Sequence, residues 1–262
     1  MAPKVKRCLS YFVLVSLILC FNAAALVLDW DSVQWQPGST SQYFDIDPTN
    51  PGNDILITLT GSLSRLSQNF PQDNKNITGG INPAQESLEL RAAFNDVNNY
   101  ITVTIDFLYS KGVSDVSFSL FDVDIDSKNN NRTIVDQIYD IKARFGDSDY
   151  IPAKITTSSN NRLDGQGLAQ TVTGTKVTVP TSGDANVGIQ FNGAPINQIT
   201  FSWRPASSIP GGNVNNQIAI SDVSFTPVPE VKSALCFSIF CFIFGLFRTV
   251  RFCLNRRQKS VF

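Results

Sequence analysis

Four aspartates offer this chain's most specific chemistry. Asp122, Asp124 and Asp126 alternate with Val123 and Ile125, and Asp136 follows ten residues after the last of them. The three continue the spacing of Val116, Phe118 and Leu120, so an unbroken strand would send three carboxylates along the core-facing side. An unpaired buried carboxylate is costly. Two solutions are open. A bulge can reverse the register, turning Val123 and Ile125 inward and the aspartates to water. Alternatively, the strand ends at the rim of the fold and the carboxylates gather a hard cation. Oxygen ligands alone suit Ca2+, with Asn129, Asn130, Asp136 and loop carbonyls to complete the shell. An EF-hand is excluded, because counting from Asp122 puts Ser127 where glycine belongs and Thr133 where the bidentate glutamate belongs. Asp222, near the end of the last strand, is a second candidate for a calcium-linked carboxylate.

Other chemistries are removed by absence. The chain has no histidine, so Ser-His-Asp and Cys-His relays are unavailable. Its five cysteines, Cys8, Cys20, Cys236, Cys241 and Cys253, all lie near the two ends. The body therefore has neither a thiol nucleophile nor the ligands of a typical zinc or copper centre. Paired carboxylates could hydrolyse a glycoside, but Glu86, Glu89 and Glu230 are the only glutamates beside 19 aspartates. Glu89 alternates with Arg91 on what reads as a solvated strand face. Binding needs less: Trp30, Trp35, Tyr43, Tyr109, Tyr139, Tyr150 and Trp203 could stack on sugar rings. Trp203 shares parity with Ile199 and Phe201 and reads as core. Trp35, beside Pro37-Gly38, is the candidate surface aromatic for a ligand.

The elements that must position these groups are strands. Apolar residues alternate at Ile55, Ile57, Leu59, at Leu88, Leu90, and at Ile101, Val103, Ile105, Phe107. The pattern returns at Val172, Val177, Val179, at Ile199, Phe201, Trp203, and at Ile218, Ile220, Val223, Phe225. The one helical candidate, Val135 to Phe145, reads equally as a bulged strand. Turn-rich stretches at 48–52, 74–83, 129–131, 158–167 and 205–216 separate the runs. Ten to twelve short strands without a fixed repeat predict an all-β, two-sheet β-sandwich of jelly-roll topology over 26–226.

Charge divides the chain. Nine of its 21 basic residues lie in the two ends, leaving 12 in the body against all 22 acidic ones, a net of −10. Nucleic acid and anionic lipid are poor partners for such a body. Cations, neutral glycans or basic surfaces suit it better.

The ends read as addresses. Lys4, Lys6 and Arg7, an apolar stretch from Cys8 to Phe21, and Ala23-Ala24-Ala25 make a signal peptide over 1–25. At the other end, 227–262, Pro227-Val228-Pro229-Glu230 leads into an apolar run from Ala234 to Phe247 and then a basic tail. That run is shorter than the ~20 residues of a full membrane span. It fits a processed sorting signal, with an ordinary single-pass anchor as the alternative.

Val228-Pro229-Glu230, the short apolar helix and Arg256-Arg257 together resemble the PEP-CTERM sorting signal. Val231 stands where that family usually carries a second proline. The resemblance implies export by a Gram-negative bacterium through signal peptidase and a secretion channel. It also implies transient anchoring by a C-terminal transmembrane helix, and processing by an exosortase-type membrane protease. The cell surface or an extracellular polysaccharide matrix is then the destination. In the body, the phrase from Val116 to Asp126 with Asp136, and the phrase from Ile218 to Phe225, are similar to segments of exported sandwich domains carrying this tail. The expectation is a non-enzymatic surface or matrix protein associated with exopolysaccharide. The alternatives are a calcium-dependent carbohydrate-binding module and a glycan-acting enzyme.

Overall fold

A computed structural model describes residues 24–128, 132–207 and 214–229. The chain divides into two units, Met1–Val228 and Pro229–Phe262. Everything described below except Pro229 belongs to the first. The expected signal peptide before Ala24, and Glu230, the apolar run, Arg256 and Arg257, lie outside the described residues. Among the described residues, no helix is long and apolar enough to cross a membrane.

The described body is built of strands. They are β1 (Leu26–Leu28), β2 (Ser41–Phe44), β3 (Ile55–Gly61), β4 (Gln72–Asn74), β5 (Ser87–Phe94) and β6 (Ile101–Phe107). Next come β7 (Val113–Phe121), β8 (Ile125–Lys128), β9 (Arg132–Arg144), β10 (Ile151–Pro152), β11 (Lys154–Thr157) and β12 (Asn161–Asp164). The last are β13 (Thr171–Gly174), β14 (Val187–Phe191), β15 (Gln198–Pro205), β16 (Val214–Ile220) and β17 (Val223–Pro227).

They form two antiparallel sheets. The eight-stranded sheet runs β1-β17-β7-β16-β5-β4, with β14 also on β7 and β11 beyond it. The nine-stranded sheet runs β12-β13-β9-β15-β6-β3-β2, with β8 and β10 also on β9. The chain passes between the sheets ten times, after β1, β3, β5, β6, β7, β10, β11, β13, β14 and β15. Both inner faces carry the alternating apolar residues read from the sequence. Leu88, Leu90, Val116, Leu120, Ile189, Ile218 and Phe225 on one side meet Ile55, Ile57, Val103, Ile105, Ile138 and Phe201 on the other in one core. This is the two-layer solution for strands with one apolar face each.

Two local readings of the sequence are corrected, and a third, left open between helix and bulged strand, is decided. Val177 and Val179 are not in a strand and stand exposed, since β13 ends at Gly174. Glu89 is fully buried rather than solvated, because the segment after β4 folds back over the outer face of β5. There Ile77, Phe121 and Ala219 make a second small core. The segment 135–145 belongs to a bulged strand: Asp140 has φ +58°, and the pairing of β15 with β9 shifts between Thr200 and Ser202.

Candidate functional site: an acidic rim and a polar trough

The predicted aspartates sit where β7 ends. Asp122 follows the strand with φ +62°, a conformation aspartate tolerates better than most residues. The parity break this causes is neither of the two simple solutions. Val123 is buried, and so are Asp122, Asp124 and Asp136, while Asp126 is partly exposed.

Each buried carboxylate has its own donors. Asp124 Oδ2 accepts from Thr178 N at 2.7 Å and Thr178 Oγ1 at 2.8 Å. Asp136 Oδ1 accepts from Trp203 Nε1 at 2.7 Å and from Asn216 Nδ2 at 2.8 Å. Asp122 Oδ2 accepts from Gln217 Nε2 at 3.0 Å. Gln217 in turn accepts from Arg91, whose Nη2 lies 2.6 Å from Glu89 Oε1. Glu89 also receives Asn74 and Asn76 amides, so this buried carboxylate is paired and bonded rather than free for chemistry.

Of the expected cation ligands, Asn129 and Asn130 lie outside the described residues. Among the described residues, no group of three carboxylates is placed to hold a metal ion. The aspartates do act on one another electrically. Burial, reinforced by the charge of Asp124, raises Asp122 to about 7. Burial raises Asp136 well above the usual range, against the lowering effect of the Trp203 bond.

The tryptophans are all inside. Trp35, expected at the surface, is fully buried. Its ring packs 6.0 Å from Phe44, and its Nε1 donates to Ser39 O at 3.2 Å. Its backbone N donates to Asp73 Oδ1 at 3.0 Å, which ties the segment to β4. Trp30 is held by Asp222 Oδ1 on its backbone N at 3.0 Å and by Ser221 O on its Nε1. Trp203 is core, as its parity predicts, edge-on to Phe94 at 4.8 Å. Of the sorting-motif residues, Val228 continues past β17 with its N donating to Gly112 O at 3.0 Å, and Pro229 is exposed.

The surface feature that sequence reading missed lies on the outer face of the eight-stranded sheet. Strands β11, β14, β7 and β17 run side by side there, and their outward residues are small and polar. One row is Thr156, Gly188 and Ser119; the next is Gln190, Ser117 and Ser224. Gly188 has no side chain to stand above its neighbours, which lowers the floor. The result is an open trough of about 450 Å³, closed at one end by Ser221 and Asp222 in the break between β16 and β17.

Asp222 is the one carboxylate in the lining. Its Oδ1 is fixed by Trp30, and Oδ2 has no partner among the described residues. Burial raises its pKa, with the Trp30 bond acting in the opposite direction. Five hydroxyls, one amide and one carboxylate can exchange hydrogen bonds with a polyol. Among the described residues no second carboxylate lines the trough, although the charges of Asp29 and Asp31 reach Asp222. The available signal was weak: Ser117 and Ser119 alternate outward in β7, but outward serines mark any solvated strand.

No protein-family model matches the chain, and no curated protein matches it. Distant likenesses exist among solved structures. A carbohydrate-binding module described for specific mannan recognition matches at TM-score 0.35 and 9% identity, covering 79% of this chain and 100% of its own. A second, solved with β-1,4-galactotriose, matches at TM-score 0.31 and 10% identity, covering 66% and 88%. The K1 cleaved adhesin domain of Lys-gingipain from Porphyromonas gingivalis W83 matches at TM-score 0.30 and 8% identity, covering 79% and 99%. Likeness at this level does not assign a ligand.

Proposed function

We propose that the chain is a non-enzymatic exported surface or matrix protein whose jelly-roll sandwich holds a neutral glycan in the trough on its eight-stranded sheet. The observation that carries this is the lining itself: hydroxyls, Gln190 and a half-free Asp222, with no second carboxylate lining the trough among the described residues. Four or five hydrogen bonds at ~1 kcal/mol net each give ~4–5 kcal/mol, or an affinity on the order of millimolar. Such a site works by avidity. Many copies on one polysaccharide would hold firmly where a single site does not. Delivery follows from the ends of the chain: a signal peptide for export, and a PEP-CTERM-like tail read by an exosortase.

The test is calorimetric titration of the exported protein with neutral oligosaccharides, beside Asp222→Asn. The amide keeps an oxygen for Trp30 N but replaces the charged acceptor, so affinity should fall about five- to tenfold. Equal affinity in the two proteins would remove Asp222 from the site. Cleavage of any oligosaccharide on prolonged incubation would overturn the non-enzymatic reading.

A further inference from the structure

The outer face of the other sheet carries a different chemistry. In β9, Ile134, Asp136 and Ile138 face inward, but after the bulge at Asp140 the inward residues are Ile141 and Ala143. Without that extra residue, Lys142 and Arg144 would point into the core. With it, they join Tyr139 on the outer face, where Arg204 of β15 also stands. A bulge re-aims side chains in this way. In a body with a net charge of −10, three of 12 cations thus collect along one pair of strands.

Both arginines are mounted rather than loose. Arg204 lies over the Tyr139 ring, 4.3 Å from its centroid, with Nε donating to Gln137 Oε1 at 2.9 Å. Arg144 lies 5.3 Å over Tyr150, with Nε donating to Gln198 Oε1 at 2.8 Å. A neutral amide holds each Nε and a ring backs each plane. Neither guanidinium has a carboxylate partner among the described residues, whereas Arg91 and Arg162 have Glu89 and Asp164. The Nη edge of each fork is left for an outside acceptor. Lys142 differs: it shares Tyr150 but sits 3.4 Å from Asp140. Nearby, Asp106 accepts from Gln198 Nε2, and Asp147 and Asp149 lie in the segment between Arg144 and Tyr150.

We propose that this strip binds an acidic polysaccharide, with Arg144 and Arg204 each taking one carboxylate of the polymer in a forked pair. A planar fork matches a carboxylate in two parallel hydrogen bonds, and prior fixing lowers the entropy lost on binding. The forks lie six residues apart along β15, from Gln198, which pairs with Arg144, to Arg204, or about 20 Å at ~3.3 Å per residue. That span requires a chain of sugars rather than one. Between the forks the Thr200 hydroxyl is buried, and buried Ser202 already bonds Thr102 at 2.7 Å, so recognition rests on the two guanidinium forks. Nucleic acid fits less well, because its closely spaced phosphates would meet two guanidinium forks set far apart. The site is separate from the trough and does not depend on it.

The experiment uses the exported protein with three probes: an oligogalacturonate, a neutral galactan oligosaccharide and a single-stranded oligonucleotide. Arg144→Lys with Arg204→Lys keeps the charge and removes the forks. This double variant should lose about tenfold in oligogalacturonate affinity, with an unchanged melting temperature and unchanged binding of the neutral probe. Gly188→Leu, in the trough, should do the reverse. Unchanged oligogalacturonate affinity in the lysine variant overturns the proposal, as does no binding by the parent protein. Equal affinity for the oligonucleotide would also overturn it, marking a general polyanion surface. A loss confined to neutral binding in Gly188→Leu would leave the trough standing whatever the strip does.

Discussion

Replacing Asp122 by asparagine should stabilise this protein at neutral pH and do nothing at acid pH. Asp122 is raised from 3.8 to about 7, first by burial and then by Asp124. Between those two values the folded chain holds a proton that the unfolded chain has released. Stability from this group is therefore complete below about pH 4 and is lost as pH climbs towards 7. A shift of about three units corresponds to ~4 kcal/mol, an upper bound because neighbouring aspartates relax together. Asparagine tolerates the left-handed backbone at this position and can still accept the Gln217 amide. The expected gain is about 1–3 kcal/mol at pH 8, shrinking to nothing at pH 4. At ~2–4 °C per kcal/mol for a body of this size, the melting temperature should rise by several degrees at pH 8 only. Urea unfolding of both proteins across pH 4 to 8 reads this directly. An asparagine variant that is no more stable at pH 8, or a gain that does not vary with pH, would contradict a proton held by folded Asp122. Asp136, raised in the same direction, adds to the parent's loss with rising pH.

Further outcomes follow from the same contacts. Arg91→Ala leaves Glu89 buried with only amide donors, and should cost about 3–5 kcal/mol by denaturant unfolding. Because Asp124, Asp136 and Asp122 hold separate donors, calcium should raise the melting temperature no more than magnesium at equal concentration; a calcium-specific rise would restore the cage that the sequence suggested. Intact-mass measurement of the exported protein should show both ends removed, and a mature chain still containing Phe262 would contradict processing of the tail.

Much of the fold was legible because its strands are buried on one face. Ile55 to Leu59, Ile101 to Phe107 and Ile199 to Trp203 alternate as a half-buried strand must, and each is found as one. Legibility failed where a single residue changed the rule. The left-handed backbone at Asp122 lets both Val123 and Asp124 be buried, which no period of two can express. Glu89 misled because what covers it comes from elsewhere: β4 and the segment after it supply Asn74, Asn76 and Ile77. Trp35 misled because a nearby Pro-Gly turn does not decide whether a ring is presented or buried. The trough was unreadable for a deeper reason. It exists only when β11, β14, β7 and β17 lie side by side, and no one strand's serines announce that.

Sugar binding in the trough is measured most directly by titrating neutral oligosaccharides into the parent protein and Gly188→Leu. A Cβ at Gly188 meets Thr156 Cβ at 3.6 Å, an ordinary contact, so the variant should fold while its side chain fills the floor. Millimolar binding by the parent, abolished in the variant with its melting temperature intact, is the predicted result. Binding that survives the leucine unchanged, or no neutral sugar bound by the parent at all, would contradict it.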